Sequence, residues 1–171
     1  LVNLNMVNNN FKPNGESALL NLRSRILVEK QTVDKNLNLN ALRLSNKDVK
    51  ALSLYEKMEE ILSLSLRDNM FDHQGLGDLV ASPFAKNIKS LNLMDNSIGD
   101  KGVFLISESS SMENLEKLNL EKTGITSTGI LALSQSPHLK NLQELNLSGN
   151  GIDKKGFLLL AQSENFKNLK V

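Results

Sequence analysis

The sequence repeats itself every 27 residues, and this period constrains the fold more than any other feature of the chain. The first residues of the clearest units are Ile61, Ile88, Leu115, Leu142 and Leu169. Behind Ile88, apolar residues follow at Leu91, Leu93 and Ile98, and the other units keep this spacing. Units with a fixed period of about 20 to 50 residues cannot bury their apolar faces alone and stack on one another. We therefore expect a single domain over residues 1–171, built as a solenoid.

Each column of the repeat predicts a local structure. The alternation around Leu91 and Leu93 is typical of a short half-buried strand whose intervening residues point outward. A polar column follows the strand, where a buried asparagine amide can bond to backbone groups and stack into a ladder between units. The asparagines of this column are Asn9, Asn69, Asn96 and Asn150. Thr123 takes the column in one unit, and we expect it to replace the asparagine only in part.

A glycine and a helical pattern complete each unit. The glycines in register are Gly15, Gly75, Gly102, Gly129 and Gly156. The apolar runs behind them, such as residues 103–106, predict a helix. An asparagine precedes each new unit, and we expect it to adopt the left-handed conformation that ends a helix. These asparagines are Asn38, Asn87, Asn114, Asn141 and Asn168.

The units at the N-terminal end are less regular. The pattern places repeats near residues 1, 39, 61, 88, 115 and 142, with a partial one at 169. In the unit at Leu39, Lys47 takes the ladder column, where it is too long to be buried, so we expect local irregularity. Between the first two units, residues 19–29 predict a helix and residues 30–36 a polar loop. The chain opens on Leu1 and stops at Val171, and we expect it to be a piece of a longer protein.

Two segments carry a family resemblance. Residues 91–102, LNLMDNSIGDKG, and residues 145–153, LNLSGNGID, resemble leucine-rich repeats of the ribonuclease-inhibitor-like subtype. The resemblance covers almost the whole chain and is strongest from Ile61 onward. It implies an α/β fold, a right-handed leucine-rich-repeat solenoid forming part of a curved horseshoe. The parallel sheet would line the concave side and the helices the convex side.

The composition argues against several classes of binding partner. Twenty Lys and Arg against 19 Asp and Glu give a net charge of +1, so no field draws the chain to nucleic acid or an anionic membrane. No apolar run approaches the roughly 18 to 20 residues of a membrane span, so we expect no membrane insertion. The absence of Cys removes disulfides and zinc-thiolate sites and favours a reducing, cytoplasmic compartment.

The chain offers no convincing catalytic constellation. Its two histidines, His73 and His138, fall at different points of the repeat and should not converge. Asp72 beside His73 is a weak metal-binding pair, which favours a solvated loop. No nucleophile, phosphate-binding or zinc-protease motif occurs. We expect no enzyme activity, no metal and no cofactor.

The outward positions of the strands define the candidate partner-binding residues. Small polar residues there suit recognition by many modest hydrogen bonds, and suit a solvated face without a partner equally well. Binding hot spots favour Trp, Tyr and Arg, and the expected face offers only Arg43 and Arg67. The candidates are Asn5, Arg43, Ser65, Arg67, Asn92, Met94, Lys117, Asn119, Glu121, Glu144, Asn146 and Ser148.

These residues favour a non-enzymatic module that binds a protein partner on its concave face, and we expect a monomer. Two alternatives stay open, a GTPase activator similar to the Ran GTPase-activating proteins and a scaffold segment of a longer protein. The turn residues Asp95, Lys122 and Gly149 offer no convincing catalytic group for an activator. The abundance of Lys and Asn is similar to that of leucine-rich-repeat effectors that intracellular bacteria deliver into host cells. That resemblance implies action in a host cytosol.

Overall fold

The computed structural model describes the backbone of residues 13–170 and the burial of the side chains of residues 22–170. The helices are α1 Pro13–Gln31, α2 Asn46–Ser53, α3 His73–Val80, α4 Gly99–Glu108, α5 Ser127–Gln135 and α6 Lys154–Gln162. The strands are β1 Thr32–Val33, β2 Asn36–Asn38, β3 Ser63–Ser65, β4 Ser90–Asn92, β5 Lys117–Asn119 and β6 Glu144–Asn146. Short 3-10 turns occupy Glu56–Glu60, Pro83–Ala85, Ser110–Met112 and Glu164–Phe166.

The strands form one sheet in chain order, from β1 to β6. β1 pairs antiparallel with β2, and every later neighbour is parallel. The ladder pairs Leu91 with Leu118 and Leu118 with Leu145, so residues 27 apart are direct neighbours, as the repeat predicts. Consecutive helices from α2 to α6 pack side by side along the other layer. The predicted α/β repeat architecture is confirmed.

The hydrophobic core lies between the sheet and the helices. The leucine columns of the strands and the inward faces of the helices form one continuous cluster from Val28 to Phe166. Leu93, Val103 and Ile130 are fully buried in it. Each unit therefore closes its core only by packing on its neighbours, as expected of a solenoid.

The strand ladder corrects the alignment of the second unit. Leu37 pairs with Leu64, so this unit begins five residues earlier than the expected start at Leu39. The mistake arises because residues 37–44, LNLNALRL, place leucines in apolar columns under either alignment. Lys47 is then an exposed residue of α2, and Leu42 occupies the ladder column.

The segment before β2 differs from the expected polar loop. The helix predicted over residues 19–29 extends over the whole of α1, and it runs directly into a tight hairpin between β1 and β2. Asp34 and Lys35 form its turn with φ angles of 49° and 65°. The prediction of a loop over residues 30–36 was therefore wrong. The first expected unit, including Asn5 and Asn9, lies outside the described residues.

The asparagine ladder is confirmed. The Asn96 side chain is buried, its Oδ1 accepts the Asn69 N–H at 3.1 Å, and its Nδ2 donates to the Leu66 and Leu93 carbonyls. Asn150 bridges in the same way to the unit before it. Thr123 makes only one such bond, from Oγ1 to the Leu120 carbonyl at 2.7 Å, as its shorter side chain predicts.

The left-handed conformation falls at a different place from the one expected. The asparagines before each unit do not adopt it; instead Asn114 Nδ2 donates to the Lys86 carbonyl one repeat earlier at 2.9 Å. Asn87, Asn141 and Asn168 make the equivalent bond. One left-handed residue recurs at the same turn position after each of the strands β2 to β6, at Ala41, Asp68, Asp95, Lys122 and Gly149.

Within residues 13–170, no helix combines the length and the apolar character that a bilayer crossing requires.

Candidate binding surface

The side of the sheet turned away from the core carries two columns of mostly polar residues, which we call the sheet face. These residues flank the buried core leucine of each strand, because side chains alternate along a strand. One column contains Ser63, Ser90, Lys117 and Glu144, and the other Ser65, Asn92, Asn119 and Asn146. With strands about 4.8 Å apart, the five parallel strands span about 20 Å. That is a dimension suited to a protein partner.

The asparagines of the sheet face are held in place by their own backbone. The Asn92 Oδ1 accepts the Met94 N–H at 3.1 Å, and the Asn119 Oδ1 accepts the Glu121 N–H at 2.9 Å. Asn146 makes the same bond to Ser148. Each oxygen is therefore used internally, while the amide NH₂ group remains a donor. Only Asn146 donates it to a neighbouring side chain, Glu121, within the described part of the chain.

Charged residues on and beside the sheet face are paired with one another. Lys117 Nζ lies 2.7 Å from Glu144 Oε1, and Lys89 Nζ lies 2.8 Å from Glu116 Oε1. The hydrogen bond and charge of Lys89 lower the pKa of the Glu116 carboxyl below its usual range. These pairs are exposed, so each contributes little to stability. A partner that carries charged groups can therefore replace these ion pairs with pairs of its own at a small cost in free energy.

The sheet face contains an open hollow of about 460 Å³. Its polar lining is Ser90, Asn92, Lys117, Asn119, Glu144, Asn146 and Lys170. A second hollow of about 480 Å³ lies along two of the turns that follow the strands, and its lining is Asp95, Asn96, Ser97, Gly99, Lys122, Thr123 and Gly124. Small-molecule sites are mostly apolar and enclosed. The polar lining of the sheet-face hollow suits a polypeptide surface better.

The structure brings most of the sequence-predicted residues together. Lys117, Asn119, Glu144 and Asn146 lie on β5 and β6, and Ser65 and Asn92 end the two strands before them. A further column lies two residues after the last residue of each strand from β3 to β6. Its members are Arg67, Met94, Glu121 and Ser148. Asn5 lies outside the described residues.

Arg43 is the exception among the described candidates. The corrected alignment places it in the turn after β2, with a φ angle of 54°, at the repeat position of Met70. The strand position expected for it belongs to Asn38, which pairs with Ser65. Asn38 was missed because the leucines around it fit two alignments. Its side chain accepts the Asn40 N–H at 3.1 Å, as the other sheet-face asparagines accept theirs.

The two histidines do not form a site together. His73 begins α3, and His138 lies in the loop after α5. Asp72, next to His73, is the N-cap of α3, and the Gln74 N–H that its carboxylate accepts at 2.8 Å lowers its pKa. The role of Asp72 as a helix cap therefore accounts for the lowered pKa of its carboxylate without a metal ion. Across residues 13–170, no group of three His, Asp or Glu side chains is placed to hold a metal ion.

Three segments match a known family model. Residues 85–107, 111–134 and 138–161 each match the family described as Leucine Rich repeat. Each matched segment contains one strand of the sheet and most of the helix that follows it. No curated protein matches the chain.

Proposed function

Because the chain folds as a leucine-rich-repeat solenoid, and such repeats generally mediate protein–protein interactions, we propose that it is a non-enzymatic module that binds a protein partner through its sheet face. The partner would contact the columns of β3 to β6 and the column of Arg67, Met94, Glu121 and Ser148 behind them. This face corresponds to the concave side of the predicted horseshoe.

One observation carries the proposal. The parallel register aligns four strands so that residues with no role in the core form continuous rows, while Leu64, Leu91 and Leu118 between them are buried. The asparagine oxygens of these rows are already bonded to the backbone. A partner would therefore meet asparagine side chains with little conformational freedom left to lose, which lowers the entropic cost of binding them.

The finer assignments are also proposals. The α-helices of 8 to 10 residues opposite the sheet, from α3 to α6, support the ribonuclease-inhibitor-like subtype. The Lys- and Asn-rich composition supports a bacterial effector that acts in the host cytosol, and the absence of Cys supports a reducing compartment. A translocation assay with a reporter fusion tests the effector assignment, and light scattering tests the expected monomer.

Two arginines provide a matched test of the binding face. Both are exposed, but Arg67 follows β3 in the sheet-face region, whereas Arg43 lies in a turn off that face. Proteins cross-linked to the full chain in cell lysate are identified by mass spectrometry, and the affinity of each purified candidate is then measured. We expect Arg67→Glu and Asn119→Arg to weaken binding about tenfold or more, as typical of hot-spot changes.

Arg43→Glu serves as the control and should bind like the parent chain. Circular dichroism establishes that each variant is folded. If Arg67→Glu and Asn119→Arg bound every identified partner as tightly as Arg43→Glu and the parent chain do, the sheet face would not be the binding surface.

A further inference from the structure

Three consecutive helices expose an apolar residue at the same position of the repeat. Phe104 in α4, Leu131 in α5 and Leu158 in α6 are 55%, 38% and 52% exposed, at intervals of 27 residues. Because these helices pack side by side, the three side chains form a row across the outer surface of the helix layer, which we call the helix stripe. Single exposed apolar residues are common on protein surfaces, whereas a contiguous group of them marks an interaction surface.

The repeat does not require apolar residues at this position. It is occupied by Lys50 in α2 and by Gly77 in α3, and Lys50 pairs with Asp78 at 3.5 Å. None of the three stripe residues belongs to the hydrophobic core. Phe104 and Leu131 lie on helices that have a neighbour on both sides, so their exposure is not an effect of the end of the solenoid. The helix stripe is therefore a property of the surface of α4, α5 and α6.

A groove between α5 and α6 adjoins the helix stripe. Its volume is about 270 Å³, and its leucine side chains are Leu131 from α5 and Leu159 from α6. Lys155 lies beside them in an otherwise mostly polar lining. An apolar side chain can therefore insert between the two leucines while a neighbouring group of the same ligand meets a cation.

Lysines without an ion pair lie along one edge of the helix stripe. Lys101 and Lys155 are exposed, and they precede Phe104 and Leu158 by three positions, which places them on the same face of their helices. Neither forms an ion pair with an acidic side chain in the part of the chain that the structure describes. Lys89, below the sheet face, does form one. This edge therefore carries positive charge that an acidic ligand can neutralise.

The carboxylates next to these lysines are engaged as helix caps. Asp100 accepts the Gly129 N–H at 3.0 Å, and Asp153 accepts the Gly156 N–H at 3.1 Å. Both carboxylates thus face the N-terminus of a helix, whose partial positive charge offsets theirs. Glu108 is exposed one turn after Phe104, at the other edge of the stripe. The two edges therefore differ in charge, and only the lysine edge favours an acidic ligand.

The spacing of the helix stripe matches an α-helix laid across it. Packed helices lie about 8 to 10 Å apart, and about seven residues of an α-helix rise 10.5 Å. A partner helix with an apolar residue at every seventh position would therefore meet Phe104, Leu131 and Leu158 in turn. An apolar residue between two of these positions would reach the groove, as in other helix-in-groove contacts. Acidic residues along one flank of the partner would meet Lys101 and Lys155.

A lipid surface fits these features less well. Segments that bind anionic lipids carry clusters of about four to eight Lys or Arg. The helix stripe has Lys101, Lys154 and Lys155 at one edge, and Glu108 at the other would be repelled by anionic headgroups. The charges therefore favour a protein segment that is acidic on one flank only.

We propose that the outer surface of α4, α5 and α6 is a second docking site, which takes an amphipathic α-helix of a protein partner with acidic residues along one flank. This site lies on the opposite layer from the sheet face, and its test does not depend on the proposed function.

Two synthetic helical peptides test the site. Both carry leucines at the heptad positions, and one flank carries glutamates in the first peptide and lysines in the second. Fluorescence anisotropy measures the affinity of each peptide for the full chain. We expect the glutamate peptide to bind at least about tenfold more tightly, by a margin that narrows as salt is added. Equal affinities, or no measurable binding of the glutamate peptide, would overturn the proposal.

Substitutions locate the contact. Leu131→Glu and Lys155→Glu should each weaken binding of the glutamate peptide about tenfold or more, and Phe104→Glu provides a second apolar variant. Val33→Glu and Lys140→Glu are the matched controls and should bind like the parent. Val33 is 67% exposed in the hairpin at the far end of the sheet, and Lys140 is exposed in the loop before β6.

Circular dichroism establishes that each of these variants is folded. If the controls weakened binding as much as the stripe variants, or if no stripe variant weakened it, the helix stripe would not be the site.

Two measurements distinguish other occupants. Flotation with vesicles of phosphatidylcholine and phosphatidylserine tests a lipid surface, and light scattering over a range of concentrations tests a second copy of the chain. We expect neither vesicle binding nor self-association through the stripe. Either one, if present in the parent and abolished by Leu131→Glu, would replace the acidic helix as the occupant and overturn the proposal.

Discussion

The carboxylate of Asp100 caps the helix of the following repeat by accepting the backbone N–H of Gly129 at 3.0 Å. It also accepts the Thr126 N–H at 2.8 Å and the Thr126 hydroxyl. A Cβ at position 129 would lie 2.6 Å from Asp100 Oδ1. Asn46 approaches Gly75 in the same way two repeats earlier. Close approach between repeats, and not a left-handed backbone, therefore requires these glycines.

This contact predicts a strongly coupled pair of substitutions. Gly129→Ala alone should lower the free energy of unfolding by about 1 kcal/mol, because the new methyl displaces the capping carboxylate. Asp100→Ala alone should cost about as much through the lost cap. In the Asp100→Ala background, Gly129→Ala should instead stabilise by about 0.5 to 1 kcal/mol, the ordinary helical preference for alanine. Urea unfolding of the four proteins measures the cycle, and simple additivity would contradict the contact.

The asparagine ladder predicts a large difference between two asparagines in one repeat. Asn96→Ala leaves the Asn69 N–H and the Leu93 carbonyl without their side-chain partner in a buried position, and the Leu66 carbonyl keeps only its bond from Asn69 Nδ2. We expect a loss of about 3 kcal/mol in the free energy of unfolding. Asn92→Ala removes one bond on the sheet face, to the Met94 N–H, and should cost less than about 1 kcal/mol. Similar losses in the two variants would refute the role of the ladder.

The cap of α6 predicts a pH dependence. The Ser127 hydroxyl, at 2.6 Å, and then the Gly156 N–H lower the pKa of Asp153 below the ordinary aspartate value of 3.8. A folded pKa below the unfolded one gives stability that is present above 3.8 and is lost as the pH falls through the folded pKa. We expect Ser127→Ala to raise the Asp153 pKa and to reduce this loss.

Carboxyl NMR titration measures the Asp153 pKa, and urea unfolding over the acidic range measures the accompanying stability. Ser134→Ala removes a hydroxyl that donates to the Leu131 carbonyl and should leave the titration unchanged. An Asp153 pKa that is insensitive to Ser127→Ala would contradict the assigned cause.

The sequence alone predicts the repeating part of this fold well, because each column has one physical role. Leu91, Leu118 and Leu145 align because that register continues one leucine column on the core side of the sheet, and Asn96 lies in the ladder because its short amide bonds to the backbone of the turn there. Around Leu37 and Leu39, leucines fill the apolar columns under two different alignments, so the pattern alone cannot determine where this repeat begins. Arg43 was placed on the face for this reason.

The pattern predicts the asparagine ladder between repeats, but it does not predict the other side-chain contacts that join one repeat to the next. The glycine column is plain in the sequence, but at Gly75, Gly129 and Gly156 its cause includes a side chain 29 residues earlier, such as Asp100 for Gly129. The asparagine before each unit has a left-handed preference of its own, yet Asn114 is used for its amide donor to Lys86. The alternation of apolar and polar residues along each strand predicts the sheet face. The bonds that immobilise Asn92 and Asn119 depend on the conformation of the backbone after the strand, which the alternation does not predict.

The hairpin that closes the N-terminal end predicts a stabilising substitution. Lys35 has a φ angle of 65°, a conformation that is costly for a residue with a Cβ and free for glycine. Tight two-residue hairpins favour glycine at this second position. Lys35→Gly should therefore raise the free energy of unfolding by about 0.5 to 1 kcal/mol, measured by urea titration. Lys35→Ala removes the same charge but keeps the Cβ, so it should give no such gain, and an equal gain from both would show that charge and not backbone conformation limits this turn.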